Sequence, residues 1–276
     1  MNTYEESYKD RNHFSFGKNW LNFLKTLNDK KIEEAEKSVE GFFGGRDKVA
    51  GKTFVDIGCG SGLFSLAAYR LGAAKVVSVD IDDFSVACAK YLKEKYEGSD
   101  CWQIAQGSAL NSDFIQSLGK FDLVYSWGVL HHTGNMYEAL KNVSRLLSEN
   151  GMLYLAIYNR FNTSWRGGTS LTWLRIKRIY NNSGVIIKRL MAFVYILYSL
   201  IMMFVRFQLP YSYIRNYKNK RGMSWYCDIL DWIGGYPYEY ASIEEMINFF
   251  SENNMYAKKV READGLGCNE FLFFKK

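Results

Sequence analysis

Three glycines at alternate positions, Gly58, Gly60 and Gly62, follow the β-branched and aromatic run Thr53-Phe54-Val55-Asp56-Ile57 and precede a stretch of helical periodicity. A strand entering such a cluster must turn sharply, and positions without side chains let another molecule approach the backbone amides. The start of the following helix adds unpaired N–H groups and the positive end of its dipole, which favour a carboxylate or phosphate nearby. A plain glycine turn would use the same residues, so the rest of the chain has to decide between them.

Downstream the pattern alternates. Strands are predicted at 53–57, 75–80, 101–106, 121–127 and 152–158, and helices at 63–71, 84–96 and 136–147. That order argues for a parallel sheet covered by helices on both faces. Residues 160–240 are basic and aromatic-rich without the alternation, which predicts a largely helical cap looped out of the sheet. A helix at 243–253 and strands near 257–261 and 271–274 then complete the sheet. Phe14, Phe16, Trp20 and Phe23 fall at roughly helical spacing, predicting an N-terminal arm. The expected division is an arm at 1–45, a core at 46–159 plus 241–276, and a cap at 160–240.

A chain of 276 residues with 48% hydrophobic and 23% charged positions is globular, which excludes disordered and fibrous classes. The net charge of +6 is spread along the sequence and the densest basic stretch, 215–221, is short, so nucleic acid is not the expected partner. Cys59, Cys88, Cys101, Cys227 and Cys268 are widely separated with no CxxC pair, which fits a reducing cytoplasm and predicts no metal site. Residues 1–10 lack an apolar core, so neither a secretory nor a transit signal is expected. Residues 190–205 carry no charge and are flanked by Lys188-Arg189 and Arg206. At about 1.5 Å per residue they reach roughly 24 Å, short of a ~30 Å hydrocarbon core. A buried or cap helix is therefore favoured, with peripheral contact on anionic lipid as the alternative.

Asp80, twenty residues beyond Gly60, ends the second strand, where doubly wound sheets place an acid that accepts hydrogen bonds from ribose hydroxyls. A dinucleotide fingerprint would need glycine at position 63, which is Leu63. At this point the residues resemble the class I S-adenosylmethionine-dependent methyltransferase family. The likeness rests on Asp56-Ile57-Gly58-Cys59-Gly60-Ser61-Gly62, Ser78-Val79-Asp80-Ile81, Gly107-Ser108-Ala109, and Phe121 to Trp127 followed by Val129-Leu130-His131-His132. It covers about 52–159 and resumes at the C-terminus. It implies an α/β fold, a doubly wound, Rossmann-like, mostly parallel seven-stranded sheet with helices on both faces, and S-adenosylmethionine as cofactor. It further implies that Asp56, Gly58, Cys59, Gly60 and Gly62 surround the methionine moiety. Asp80 would hold both ribose hydroxyls and Ile81 would pack on adenine. Ser108 and Ala109 would lie at the adenine edge, although the family often has an acid where Ser108 stands. Trp127 would flank the methionine part.

The sulfonium already makes its methyl group electrophilic, so the reaction asks chiefly for position and exclusion of water. An oxygen acceptor of high pKa adds the need for a base. His131 and His132 follow the fourth strand, at the edge where open sheets bind ligands, and His132 is preferred as the base or as an acceptor-orienting group; a structural role for both is the alternative. In the cap, Trp225, Asp228, Asp231, Tyr236 and Glu239 combine aromatic walls with carboxylates, suited to a polar small-molecule acceptor. The run 13–20 is a candidate lid. The acceptor expected is an oxygen of a glycan or surface-polymer precursor. A quinone-like phenol or membrane-associated acceptor is the alternative, and a non-enzymatic cofactor sensor or scaffold the third reading.

Overall fold

The computed structural model describes residues 20, 23–163, 168–221 and 225–275. Of the predicted arm and lid, residues 1–19, 21 and 22 lie outside this set.

Each predicted strand is present. β1 (Thr53–Ile57), β2 (Lys75–Asp80), β3 (Trp102–Gln106), β4 (Phe121–Trp127), β5 (Leu147–Tyr158), β6 (Met255–Arg261) and β7 (Cys268–Lys275) form one sheet in the order β3-β2-β1-β4-β5-β7-β6. The first five strands pair in parallel, and β7 runs antiparallel to both β5 and β6. The sheet is thus the mostly parallel, seven-stranded α/β sheet anticipated.

Side chains alternate across the strands, so each strand feeds two cores. Phe54, Val76, Leu123 and Tyr125 face α1 (Asp29–Phe43), α2 (Leu63–Arg70) and α3 (Asp83–Lys95). Val55, Val77, Val124 and Leu153 face α4 (Ser112–Ser117), α5 (Met136–Ser144) and the later helix α10 (Ile243–Glu252). α1 buries Ile32, Ala35, Val39 and Phe43 on a single stripe, is capped by the Asn28 side chain, and stops at Gly44, whose φ is 96°. This part of the N-terminal region therefore packs as a covering layer of the sheet. α10 starts with a reciprocal capping box between Ser242 and Glu245.

The cap consists of α6 (Ser170–Asn182), α7 (Val185–Val205), α8 (Pro210–Arg221) and α9 (Trp225–Gly234). It has its own small core, in which Tyr180, Ala192, Ile229 and Ile233 meet. The apolar segment is a cap helix, one of the two forms favoured for it, but it is not a buried one. α7 is longer than the uncharged run, and among its residues only Ala192 and Met203 are buried. Its neighbours contact one side of it, and a helix apolar all round then leaves its other side bare.

Candidate functional site

The glycine turn is held by the strand ends around it. Gly58 and Cys59 donate their N–H groups to the Val79 carbonyl at 2.7 and 2.9 Å, and Gly60 donates to Asp80 Oδ2 at 2.9 Å. Three positions of the turn require glycine; Gly62, with φ of 79°, would set a Cβ 2.9 Å from the Ala89 Cα. Gly58 has φ of 78°, and a Cβ there would lie 2.4 Å from Val129. Gly60 has φ of 52°, and its Cβ would lie 2.8 Å from the Trp20 indole. The turn therefore accepts close approach from the segment after β4 and from the start of the chain. Trp20, the described end of the candidate lid, stands on Gly60 and meets Phe23 edge-on at 5.9 Å.

The two acids differ. Asp56 is buried, accepts a hydrogen bond from Ser65 Oγ at 2.7 Å, and is pushed up to about 7 by burial. It lies beneath the turn, fastened to α2. Asp80 is partly exposed at the end of β2, accepts from Gly60 N through Oδ2 and from Asp82 N through Oδ1, each at 2.9 Å, and is pushed up to about 6 by burial. A carboxylate offers about four acceptor positions, and the neighbouring backbone N–H groups of Gly60, Ile81 and Asp82 do not use all of them. A ribose fits this chemistry: its hydroxyls would donate to the acceptor capacity that the backbone N–H groups leave on the carboxylate.

The remaining predicted cofactor residues surround the same edge. Ile81 is half-buried after β2, and its carbonyl accepts from Gln106. Ser108 is buried and spends its hydroxyl on the Leu110 N–H at 3.1 Å, while the Ala109 carbonyl accepts from Asn142. Trp127, at the end of β4, is 45% exposed. Cys59 is buried, and burial raises its thiol well above the ordinary range, so it lines the turn as an inert neutral group.

His131 and His132 occupy a short 3-10 turn, Leu130–His132, after β4. His131 is fully buried against Tyr158, 3.9 Å between rings, and its Nδ1 accepts the Tyr158 N–H, so its hydrogen sits on Nε2. Burial, with His132 and Lys177 nearby, pushes its pKa well below the ordinary range. His132 differs. Its Nδ1 lies 2.6 Å from the Pro237 carbonyl, which can only accept, so Nδ1 carries a hydrogen and the neutral imidazole has its lone pair on Nε2.

The cap residues divide. Glu239 N donates to the His131 carbonyl at 2.9 Å, and its carboxylate accepts from Met136 N at 3.1 Å, which fastens 237–239 beneath the histidines. Burial raises the Glu239 pKa. Tyr236, half-buried, precedes this segment. Trp225 instead packs with the cap core, and Asp228 accepts from the Tyr217 hydroxyl of α8.

Sequence reasoning missed Lys177. It is fully buried in α6, donates to the Trp232 carbonyl, and holds Nζ 4.4 Å from the Trp232 ring centre and 4.9 Å from that of Tyr238. Burial pushes it down to about 7, opposed by Asp231. The available signal was Trp173, one helical turn earlier, whose ring lies 5.9 Å from the same Nζ. Among the described residues no three His, Cys, Asp or Glu side chains group as a metal site.

A doubly wound sheet with a glycine turn after β1 and an acid closing β2 defines a Rossmann-like nucleoside-binding domain. A sequence model described as "Methyltransferase domain" matches residues 55–153. Over that part of its length the chain is similar to methyltransferase domains. Ubiquinone biosynthesis O-methyltransferase of Pelagibacter ubique is 26% identical over 134 residues, 49% of this chain and 49% of that one. Its counterpart in Glaesserella parasuis is 29% identical over 135 residues, 49% and 54% of the two chains. The chain thus spans about half the length of these curated relatives. Among solved structures, magnesium protoporphyrin IX methyltransferase from Synechocystis PCC 6803 with bound SAM has the same fold, with a TM-score of 0.56 at 10% identity, covering 100% of this chain and 99% of that one.

Proposed function

We propose that this protein transfers a methyl group from S-adenosylmethionine to an oxygen of a small hydroxylated molecule in the cytoplasm. A glycan or surface-polymer precursor is the leading acceptor. The observation that carries the cofactor half is the Asp80 carboxylate, set 2.9 Å from the Gly60 amide with acceptor positions left for a diol. Asp80 would hold the ribose and Ile81 would cover the adenine, with Ser108 and Ala109 along its edge. The glycine turn and Trp127 would flank the methionine part, closed from above by Trp20.

Bound S-adenosylmethionine supplies a methyl group made electrophilic by its sulfonium. The chain's own contribution is to orient the acceptor, exclude water and accept a proton. His132 suits the last role, because the Pro237 carbonyl fixes the tautomer with the lone pair on Nε2. His131, neutral and buried, supports it from below. The acceptor would enter on the cap side, beside Tyr236 and Glu239.

The second reading, a phenolic quinone precursor, draws on the names of the two curated relatives and on the bare apolar face of α7. A screen with methyl-labelled cofactor against nucleotide-sugars, sugar phosphates and phenols separates the two by which class takes up label. Calorimetry shows whether cofactor binds at all; binding without transfer to any class would favour a sensor. His132→Ala is expected to lower turnover at saturating cofactor about 10²-fold, and wild-type turnover in the folded variant removes the base assignment.

A further inference from the structure

The exposed side of α7 is a continuous apolar stripe. Ile186, Leu190, Phe193, Leu197, Ile201 and Phe204, spaced three or four residues apart, are 48% to 84% exposed. The stripe runs on into Phe207 and Leu209, both largely exposed. Soluble proteins seldom leave so much contiguous apolar surface without an occupant. The opposite side of the same helix is taken: Ala192 packs with Tyr180, Ile229 and Ile233, and Tyr195 meets Trp173 edge-on at 5.3 Å. α7 is therefore held flat on the cap by α6 and α9, with one side for protein and one side bare.

Charge identifies the occupant. From Arg160 to Cys227 the chain holds twelve of its 35 Lys and Arg residues and none of its 29 Asp and Glu residues. The rest of the molecule is net acidic, so the excess of positive charge resides in the segment that carries the stripe. Lys188 and Arg189 stand in the first turns of α7 and Arg206 caps its end, while Arg175 and Arg178 are exposed on α6. A second copy of this chain would bring like charge against like charge. An anionic bilayer instead offers acyl chains to the stripe and negative headgroups to its ends.

We propose that α7 docks in the plane of an anionic phospholipid membrane, its bare side sunk among the acyl chains and its basic ends among the headgroups. The packed side keeps the helix parallel to the surface, so it lies on the bilayer without crossing it. The inference stands on the cap alone and is independent of the group transferred.

The test is flotation of the full chain with vesicles of phosphatidylcholine alone and of phosphatidylcholine mixed with phosphatidylglycerol. The bound fraction should be about tenfold higher with the anionic vesicles and should fall as salt is raised. Phe193→Asp combined with Phe204→Asp, both at exposed positions, should reduce it to background. Lys188→Glu combined with Arg189→Glu should remove the preference for anionic lipid, and circular dichroism establishes that each variant is folded. Wild-type protein left in solution with both vesicle types overturns the proposal, as does undiminished binding by the folded Phe193/Phe204 variant. If wild type ignores vesicles but sediments as an oligomer that this variant dissociates, the stripe belongs to a second copy and the proposal also fails.

Discussion

Asp80 pairs two properties that pull against each other. Burial raises its pKa to about 6, yet its place at the end of β2 asks it to be a carboxylate that accepts hydrogen bonds. Its folded pKa lies above the ordinary aspartate value of 3.8. In the ligand-free protein its contribution to stability is thus full below that value and is lost as pH rises through about 6. A ligand that donates hydroxyls favours the charged form and draws the bound pKa below 6. Affinity for S-adenosylhomocysteine should then weaken as pH falls below about 6, by up to about tenfold per pH unit. Asp80→Asn keeps the size, loses charge-assisted acceptance, and should bind about 10- to 100-fold more weakly with no such pH dependence. Calorimetry across that range decides the matter; an unchanged constant in the variant would mean the ribose is held elsewhere. Asp56 is more deeply buried and bonded to Ser65 beneath the turn, so a ribose held by Asp80 would not reach its carboxylate.

At the level of elements, what the sequence revealed and what it hid follow from one distinction. Strands buried on both faces read as short apolar runs, and β1, β2 and β4 have the predicted bounds. The turn and Asp80 were readable because strand, glycines and acid follow one another locally. Contacts between distant segments were not readable: Trp20 on Gly60, Pro237 on His132, and the cage of Lys177, assembled from α6, α9 and the loop at Tyr238. α4, with six residues, was too short to show a period. α7 misled for a different reason, since a helix apolar on every side has the same sequence whether protein or lipid covers it. Lys177 ties these elements together at a cost. Its folded pKa of about 7 lies below the ordinary lysine value of 10.5. The unfolded chain therefore binds more protons between those values, and stability rises with pH from about 7 toward 10.5. Lys177→Met should flatten that rise, read as a smaller difference between melting temperatures at about pH 7 and about pH 9.5. An equal slope in the variant would show that Lys177 is not the group that loses its charge on folding.

For the whole molecule, the important relation is between the basic cap and the carboxyl edge of the sheet. Arg206, at the end of α7, lines a cleft with Asp264, Gly265 and Leu266, and Asn159 at the end of β5 bonds to the carbonyls of Gly265 and Gly267. The proposed docking helix thus ends beside the loop that meets the carboxyl end of β5. Were the acceptor to enter on the cap side as proposed, a bilayer bound to α7 would give an acceptor with an apolar tail a path from membrane to site along this face. If both proposals hold, anionic vesicles should raise the rate of methyl transfer to a tailed acceptor by concentrating enzyme and substrate on one surface. A tail-free acceptor with the same reacting group should be unaffected. Phe193→Asp with Phe204→Asp should abolish the increase and leave the rate on the tail-free acceptor unchanged, because neither side chain belongs to the catalytic machinery. Equal stimulation of both acceptors would point to the membrane acting on the enzyme itself, and the coupling between docking and acceptor choice would then be wrong.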